Sequence, residues 1–254
     1  MVTLLAVERI KLFSTRSPWW CIGLAATIAI GFGALFTALS GSEEFPVSVG
    51  VTQIGYGFAA NVLLVLAVLA ITTEYRFNTI KVTFSAVPNR TSVLLAKTTL
   101  VAVVCGVLGE ITAFASYGVG RLVKPNADLA LNTAHEWRYV AGIGLVYAIS
   151  AIIGISIGAL IRQTAGAISL LLVYTLLVEG LIGLVPKVGD DIQKLLPFVN
   201  ANHFLTVGNG ATAGENNGTG LQMHWGPWGA LAYFVAVAAV LLVAAIAVVE
   251  RRDA

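Results

Sequence analysis

Charge is scarce in this sequence: Asp, Glu, Lys and Arg make up 11% of 254 residues, where soluble globular domains carry about 25%. A water-soluble domain of ordinary surface is thereby excluded, because a chain of this length would cover its core with far more Lys and Glu. Cysteine is nearly absent, and Cys21 and Cys105 both lie inside apolar runs, which excludes a disulfide framework and a Cys-based metal site. No G-x-x-x-x-G-K-[ST] phosphate loop occurs, so the chain is not itself expected to be an ATPase or any other enzyme. No Ser/His/Asp grouping has the context for nucleophilic catalysis. The basic residues show no nucleic-acid pattern, and no internal repeat is evident, which disfavours the repeat-built secondary transporters. His135, His203 and His224 fall outside the apolar runs without Cys or a tight ligand spacing, and are expected to face solvent or pack in loops rather than hold zinc.

What is abundant is apolar: 57% of the residues are hydrophobic and the mean hydropathy is +0.87. Six runs, residues 18–39, 51–73, 91–119, 139–161, 165–185 and 227–249, are each long enough to cross a hydrocarbon core of about 30 Å as a helix. The fold class expected is an all-α integral membrane protein with one transmembrane domain over residues 1–254. The first run follows basic residues and ends at Ala38-Leu39-Ser40, as a cleaved signal does. It exceeds the roughly 7–15 residues of a signal h-region, however, and reads as a retained span. Residues 2–16 read as an amphipathic helix at the interface, with Val2, Leu5, Ala6, Ile10, Leu12 and Phe13 on one side and Thr3, Glu8 and Lys11 on the other.

An even number of spans places both termini on one side. Arg9, Lys11, Arg16, Arg76, Lys81, Arg90, Lys97, Arg162, Arg251 and Arg252 share that side, against Arg121, Lys124, Arg138, Lys187 and Lys194 opposite. Basic residues mark the cytoplasmic face, so the termini and the loop at residues 74–90 are expected there. The last external loop, residues 186–226, opens with Asp190 and Asp191 and a short periodicity through Ile192, Leu195 and Leu196, which predicts a brief helix on the outer leaflet. Residues 208–220 are rich in Gly, Asn and Thr, and Asn217-Gly218-Thr219 matches a sequon of little weight. Small residues recur every fourth position at Ser150, Gly154 and Gly158 and at Ala25, Ala29 and Gly33, a spacing for close helix approach within the chain or across a dimer.

Residues 74–90, EYRFNTIKVTFSAVPNR, form a polar island between two long apolar runs. Ile80, Phe84 and Val87 make one apolar stripe on a helix suited to docking in a groove. The alternation from Thr79 to Phe84 also has the period of a strand, but a lone strand at a membrane surface leaves backbone groups unpaired. This island, in the pattern Glu74-Tyr75-Arg76, Thr79, Pro88, Arg90 and Lys97, resembles the corresponding loop of the permease subunit of a bacterial ABC transporter of the type 2 exporter class. Relatives often carry Gly just before the Thr, where this chain has Asn78, a residue that tolerates left-handed backbone.

The resemblance implies that Glu74, Tyr75, Arg76, Thr79, Ile80, Phe84, Pro88 and Arg90 form a coupling helix seated on a separate nucleotide-binding subunit. That partner would bind ATP and Mg²⁺, and this chain would need no cofactor of its own. A second permease chain, identical or related, would complete the pathway in the cytoplasmic membrane. The cargo would be an amphiphile: a drug, an antimicrobial peptide or a lipid-like compound. Glu110 and Glu179 are the acidic residues within the spans, costly there unless partnered, and each either faces a polar pathway or bonds a neighbouring helix. The family's pathway, framed by the first, second and fifth spans, adds Asn61 and Tyr174 as lining candidates. The rival expectation is an ion-gradient-driven transporter or channel with Glu110 or Glu179 as its coupling carboxylate.

Overall fold

The computed structural model describes residues 2–43, 45–87, 89–185, 188–208 and 223–252, and every regular element among them is helical. Helix α1 (Val2–Ser14) leads through Thr15 into α2 (Arg16–Leu39). A single turn, α3 (Val49–Thr52), precedes α4 (Tyr56–Arg76), the short α5 (Thr79–Ala86), α6 (Arg90–Val123) and α7 (Ala134–Ile161). Helix α8 (Thr164–Val173) continues through a π-helical turn (Tyr174–Val178) into α9 (Glu179–Ile182). Then come α10 (Gly189–Gln193), α11 (Pro197–Thr206) and α12 (Pro227–Arg252). Among the described residues six helices are long and apolar enough to cross a membrane: Arg16–Leu39, Val49–Arg76, Arg90–Val123, Ala134–Ile161, Thr164–Ile182 and Pro227–Arg251. They match the six expected runs, with an extra turn at the end of the third and at the start of the fourth, while the fifth stops at Ile182, three residues short of its expected end.

Local chemistry sets several of these boundaries. The Asn89 side chain accepts the Ser92 amide at 3.1 Å and caps α6. Thr133 accepts the Glu136 amide at 3.2 Å while Glu136 accepts the Thr133 amide at 2.8 Å, a capping box that starts α7. Helix α4 stops where Asn78 turns left-handed, at φ +55°, a conformation Asn tolerates better than most residues. Arg162 does the same after α7, at φ +60°, and its guanidinium lies 5.0 Å from the centre of the Tyr75 ring. The tight connection that follows holds α8 against α7.

Helix α7 is the axis of the bundle: 72% of its most apolar stretch is buried, against 22% for α2 and for α12. It packs on α4, α6, α11 and α12. Outward, Leu24, Leu35, Val107, Val240 and Val243 leave an apolar belt of the kind lipid covers. Both small-residue stripes are used inside the chain. A Cβ on Gly154 would lie 2.8 Å from Ala67 Cβ, and one on Gly158 would lie 2.6 Å from Ile71 Cγ2, so α7 and α4 nearly touch backbones. Gly33 sits on Ser116, whose hydroxyl donates to the Thr52 carbonyl at 2.6 Å.

Two elements depart from expectation. Helix α11 was not foreseen as a separate element; Pro197 opens it, and it buries Asn200, His203, Phe204 and Leu205 against α7 and α12. Helix α1 packs on α6 with Glu8, Lys11 and Leu12 inward and leaves Val7 and Ile10 exposed, so the inward face mixes residues of the two expected sides. Both terminal helices meet the start of α6. Glu8 of α1 pairs with Lys97, and Glu250 of α12 accepts the Thr91 hydroxyl at 2.5 Å. They therefore lie at the same end of the bundle. The Gly- and Asn-rich stretch of the last loop, from residue 209, and its sequon lie outside the described residues.

Substitution of Gly33 by Ala would place a methyl 2.1 Å from Ser116 Oγ and 2.3 Å from the Thr52 carbonyl oxygen. A fall in the thermal midpoint of detergent-solubilised protein equivalent to about 1–3 kcal/mol is expected. The same change at Gly31, which meets nothing within 4 Å, is expected to leave the midpoint unaltered.

Candidate functional site

Four charged side chains from three helices converge at the end where the terminal helices meet. Lys97 of α6 bonds Glu8 Oε2 of α1 and, at 2.9 Å, Glu74 Oε1 of α4. Lys11 Nζ, one helical turn beyond Glu8, reaches Glu8 Oε1 at 3.0 Å, Glu74 Oε1 at 3.2 Å and the Thr83 hydroxyl of α5 at 3.0 Å. Glu8 is 3%, Lys97 4% and Glu74 8% exposed, so two acids and one base are held almost out of water, and the second base, Lys11, closes over them with its side chain 33% exposed. Burial alone would lower the Lys11 pKa. The facing Glu74 and Glu8 carboxylates outweigh it and hold Lys11 above its ordinary 10.5, charged at any physiological pH.

The residues expected to couple to a partner divide around this cluster. Glu74 points into it. Tyr75 lies under Arg162, and the Arg76 guanidinium is 5.5 Å from the centre of the Phe77 ring. The Thr79 hydroxyl donates to the Glu74 carbonyl at 3.4 Å, and Arg90 reaches the Glu250 carbonyl at 3.5 Å. Ile80, read as the start of an exposed stripe, is 6% exposed and belongs to the bundle core, while Val87 is half-buried. Residues two apart on a helix face directions about 200° apart, so with Ile80 turned inward it is Val82 that faces out. Val82 and Phe77 are 71% and 67% exposed and form the apolar surface of this elbow. The Phe84 side chain and Pro88 lie outside the described residues.

A cavity of about 310 Å³ adjoins the cluster, bordered by α1, α2, α4 and α6. A second, of about 280 Å³, lies between α4, α7, the π turn and α11 and holds Asn61, Thr175, Glu179, Gln193 and Asn202 in its wall. There the Thr175 hydroxyl donates to Asn61 Oδ1 at 2.5 Å, and the Tyr56 hydroxyl to Asn202 Oδ1 at 2.5 Å. Glu179, 6% exposed, accepts the Phe198 amide at 3.2 Å and also takes bonds from the Val199 amide and the Tyr174 hydroxyl. Leu196 supplies α11 with no side-chain cap, so Glu179 caps that helix from a different element. The π turn widens the helix by one residue just before Glu179. Gln193 Nε2 takes up the Glu179 carbonyl at 3.1 Å.

Of the four pathway candidates, Asn61 and Glu179 therefore share one cavity and Tyr174 bonds Glu179 beside it. Glu110 is elsewhere. It lies half-buried on α6 against Gly144 of α7, where an added Cβ would meet its Oε1 at 2.4 Å. Glu8 and Lys11 were legible only as a polar helical face. Their signal was that Glu8 is the sole acid before Glu43 and stands three residues from a lysine. Thr175, Gln193 and Asn202 carried no signal, since ordinary polar residues become a site only through the packing of α11. His203 is packed inside with Nε2 3.1 Å from the Trp225 carbonyl, and burial, with Arg138 acting in the same direction, lowers its pKa. Among the described residues no group of three or more His, Cys, Asp or Glu could hold a metal ion.

Residues 28–254 match the family described as "Protein of unknown function (DUF2705)", and over that extent the chain belongs to it. No curated protein matches the chain.

Removing Lys97 as Lys97→Ala leaves the buried carboxylates short of one cation, and a loss of about 3–5 kcal/mol in detergent-solubilised stability is expected. The double substitution Lys97→Met with Glu74→Gln keeps the remaining Glu8–Lys11 pair balanced. It is expected to cost less than the two single losses together, by a coupling of about 1–3 kcal/mol in a double-mutant cycle.

Proposed function

We propose that this DUF2705 member is the membrane-spanning permease subunit of an ATP-driven exporter resembling the type 2 ABC class. The observation that carries the reading is α5, a short helix after the second span whose Thr83 is tied by Lys11 to the cluster joining α1, α4 and α6. In this reading the elbow with exposed Phe77 and Val82 seats on a partner ATPase, which binds ATP and Mg²⁺. Closure of the ATPase pair then moves α5, and the cluster carries α1, α4 and α6 with it as one body. The excess of Lys and Arg at this end, Arg9, Arg76 and Arg90 among them, supports a cytoplasmic position for it and for both termini, with α1 along the interface in this reading. A second permease chain completes the transporter in the cytoplasmic membrane.

The cavity at Asn61 and Glu179 is the substrate chamber of this proposal. Among the described residues its wall contains one carboxylate, several amides and hydroxyls, and no Lys or Arg. That composition favours an amphiphile carrying a cationic or hydrogen-bond-donating group, among them drugs, antimicrobial peptides and lipid-like compounds. The second reading, a carrier driven by an ion gradient, rests on the depth of Glu179, which is 6% exposed beside the chamber. Dependence of transport on ATP separates the two.

Purification of the tagged chain in mild detergent from its native host, with mass identification of its companions, tests the first reading. A Walker-motif ATPase is expected with wild type and lost with Phe77→Asp and Val82→Asp, both of which leave the buried cluster untouched. Absence of any ATPase, under conditions that hold other transporters together, would reject it. Substitution Glu179→Gln keeps an acceptor for the α11 amides and removes the charge. Export of cationic amphiphiles is expected to fall about tenfold or more, the loss of one charged contact. Unchanged export of every compound tested would remove Glu179 from the pathway.

A further inference from the structure

The cavity against the charged cluster has three kinds of wall, and they make demands of different chemistry. On one, Glu74 has a side chain 10% exposed, and its Oε1 takes both lysines, at 2.9 and 3.2 Å. Its Oε2 is buried without a hydrogen-bond partner. A carboxylate oxygen at that depth calls for a donor, and a cationic donor above a neutral one.

On another wall Thr15, Ser17 and Pro18 bring the start of α2 to the cavity. Thr15 does not cap this 24-residue helix; its hydroxyl turns back to the Leu12 carbonyl at 3.5 Å. Uncapped first-turn amides and the positive end of the helix dipole therefore border the same space, an environment for a phosphate. Glu8, Lys11 and Lys97 line the cavity beside Glu74, the two lysines already engaged by the carboxylates, and Ser14, Thr73 and Thr79 add hydroxyls; the remainder is apolar, with Leu66, Leu69, Ala70 and Leu100 continuing down α4 and α6 into the spanning region.

We infer that this cavity binds one phospholipid with a primary ammonium head, of the ethanolamine class. The ammonium meets Glu74 Oε2, the phosphodiester lies at the start of α2, and the first chain carbons lie on the apolar wall. Ethanolamine brings N–H donors that a choline head lacks, and it brings a positive charge that a glycerol head lacks. The site sits at the ends of the spanning helices, where headgroups lie. The lipid would join α2 and α4 across a gap that the Glu8, Lys11, Glu74 and Lys97 bonds leave open. The inference rests on the six helices crossing a membrane, not on the exporter reading.

Native mass spectrometry of the full chain, released from micelles holding equal amounts of phosphatidylethanolamine, phosphatidylcholine and phosphatidylglycerol, tests it. One phosphatidylethanolamine is expected to be retained per chain, about tenfold over each of the other two, the worth of one charged hydrogen bond. Glu74→Gln is expected to bring that ratio near one. Ala70→Phe fills the apolar wall, leaves every charge in place, and is expected to lower occupancy of all three lipids. Equal retention of the lipids by wild type, a ratio unaltered by Glu74→Gln, or an occupancy unaltered by Ala70→Phe would overturn the assignment. So would displacement of the lipid by soluble glycerophosphoethanolamine at equal concentration, which would make the site one for a free headgroup.

Discussion

The burial of two glutamates and a lysine, closed over by a second, part-exposed lysine, at one end of an otherwise apolar bundle is the constraint on which the rest of this structure turns. In a chain with 11% charged residues, Glu8, Glu74 and Lys97 are withdrawn from water, and each is tolerable only because the others and Lys11 are there. A buried ionic set of this kind is a poor source of stability, since apolar side chains of similar volume do as well or better. What it provides is position. The bonds require α1, α4 and α6 to keep one register, and the Lys11 bond to Thr83 extends that requirement to α5. Helix α1 accordingly turns a mixed face inward against its own apolar pattern, because Glu8 has its partners only there.

Above the cluster, cohesion has another origin. Lipid tails are as apolar as Leu, so spans gain little by hiding hydrophobic surface from each other and must gain by close contact. The central helix α7 obtains it through Gly154 and Gly158 against α4 and through Gly144 against Glu110. The start of α2 is different. It borders the cavity beside the cluster, with no side-chain cap on its first turn, and packing is left incomplete there.

The sequence was legible where one physical rule governs. The apolar runs located the six helices, among the described residues, that are long and apolar enough to span a membrane, because a helix that crosses lipid must be long and uncharged. The break after α4 was legible from Asn78, and the small stripes of α2 and α7 from their four-residue spacing. The candidate site was legible in part. Glu74 and Lys97 were singled out by pattern, and Asn61, Tyr174 and Glu179 do gather. Their partners were not visible, because periodicity cannot tell which face turns inward when the inward one mixes polar and apolar residues, as in α1. Nor can it find a helix such as α11, whose buried face mixes Asn200 and His203 with Phe204 and Leu205. Ile80 shows the same limit: its place in the stripe was periodic, but the left-handed turn at Asn78 decides which side of α5 is outside.

Helix α4 joins the two regions. It carries Glu74 in the cluster and Asn61 in the polar cavity, thirteen positions apart, or about 20 Å along the axis. No Gly or Pro interrupts the chain between them, so the helix has no built-in hinge. The fifth span, which faces α4 across the cavity, is the opposite in kind: its α-helical ladder is broken by the π turn and is followed by Gly180 and Gly183. Under the exporter reading, displacement of α5 enters α4 as the motion of a rod and is absorbed at the π turn. There the Thr175 bond to Asn61 and the Glu179 cap on α11 are what must yield. A rigid input opposite a compliant wall is the arrangement by which a small shift at one end opens or closes a chamber at the other, because packed helices move as units and strain collects where the ladder is already broken.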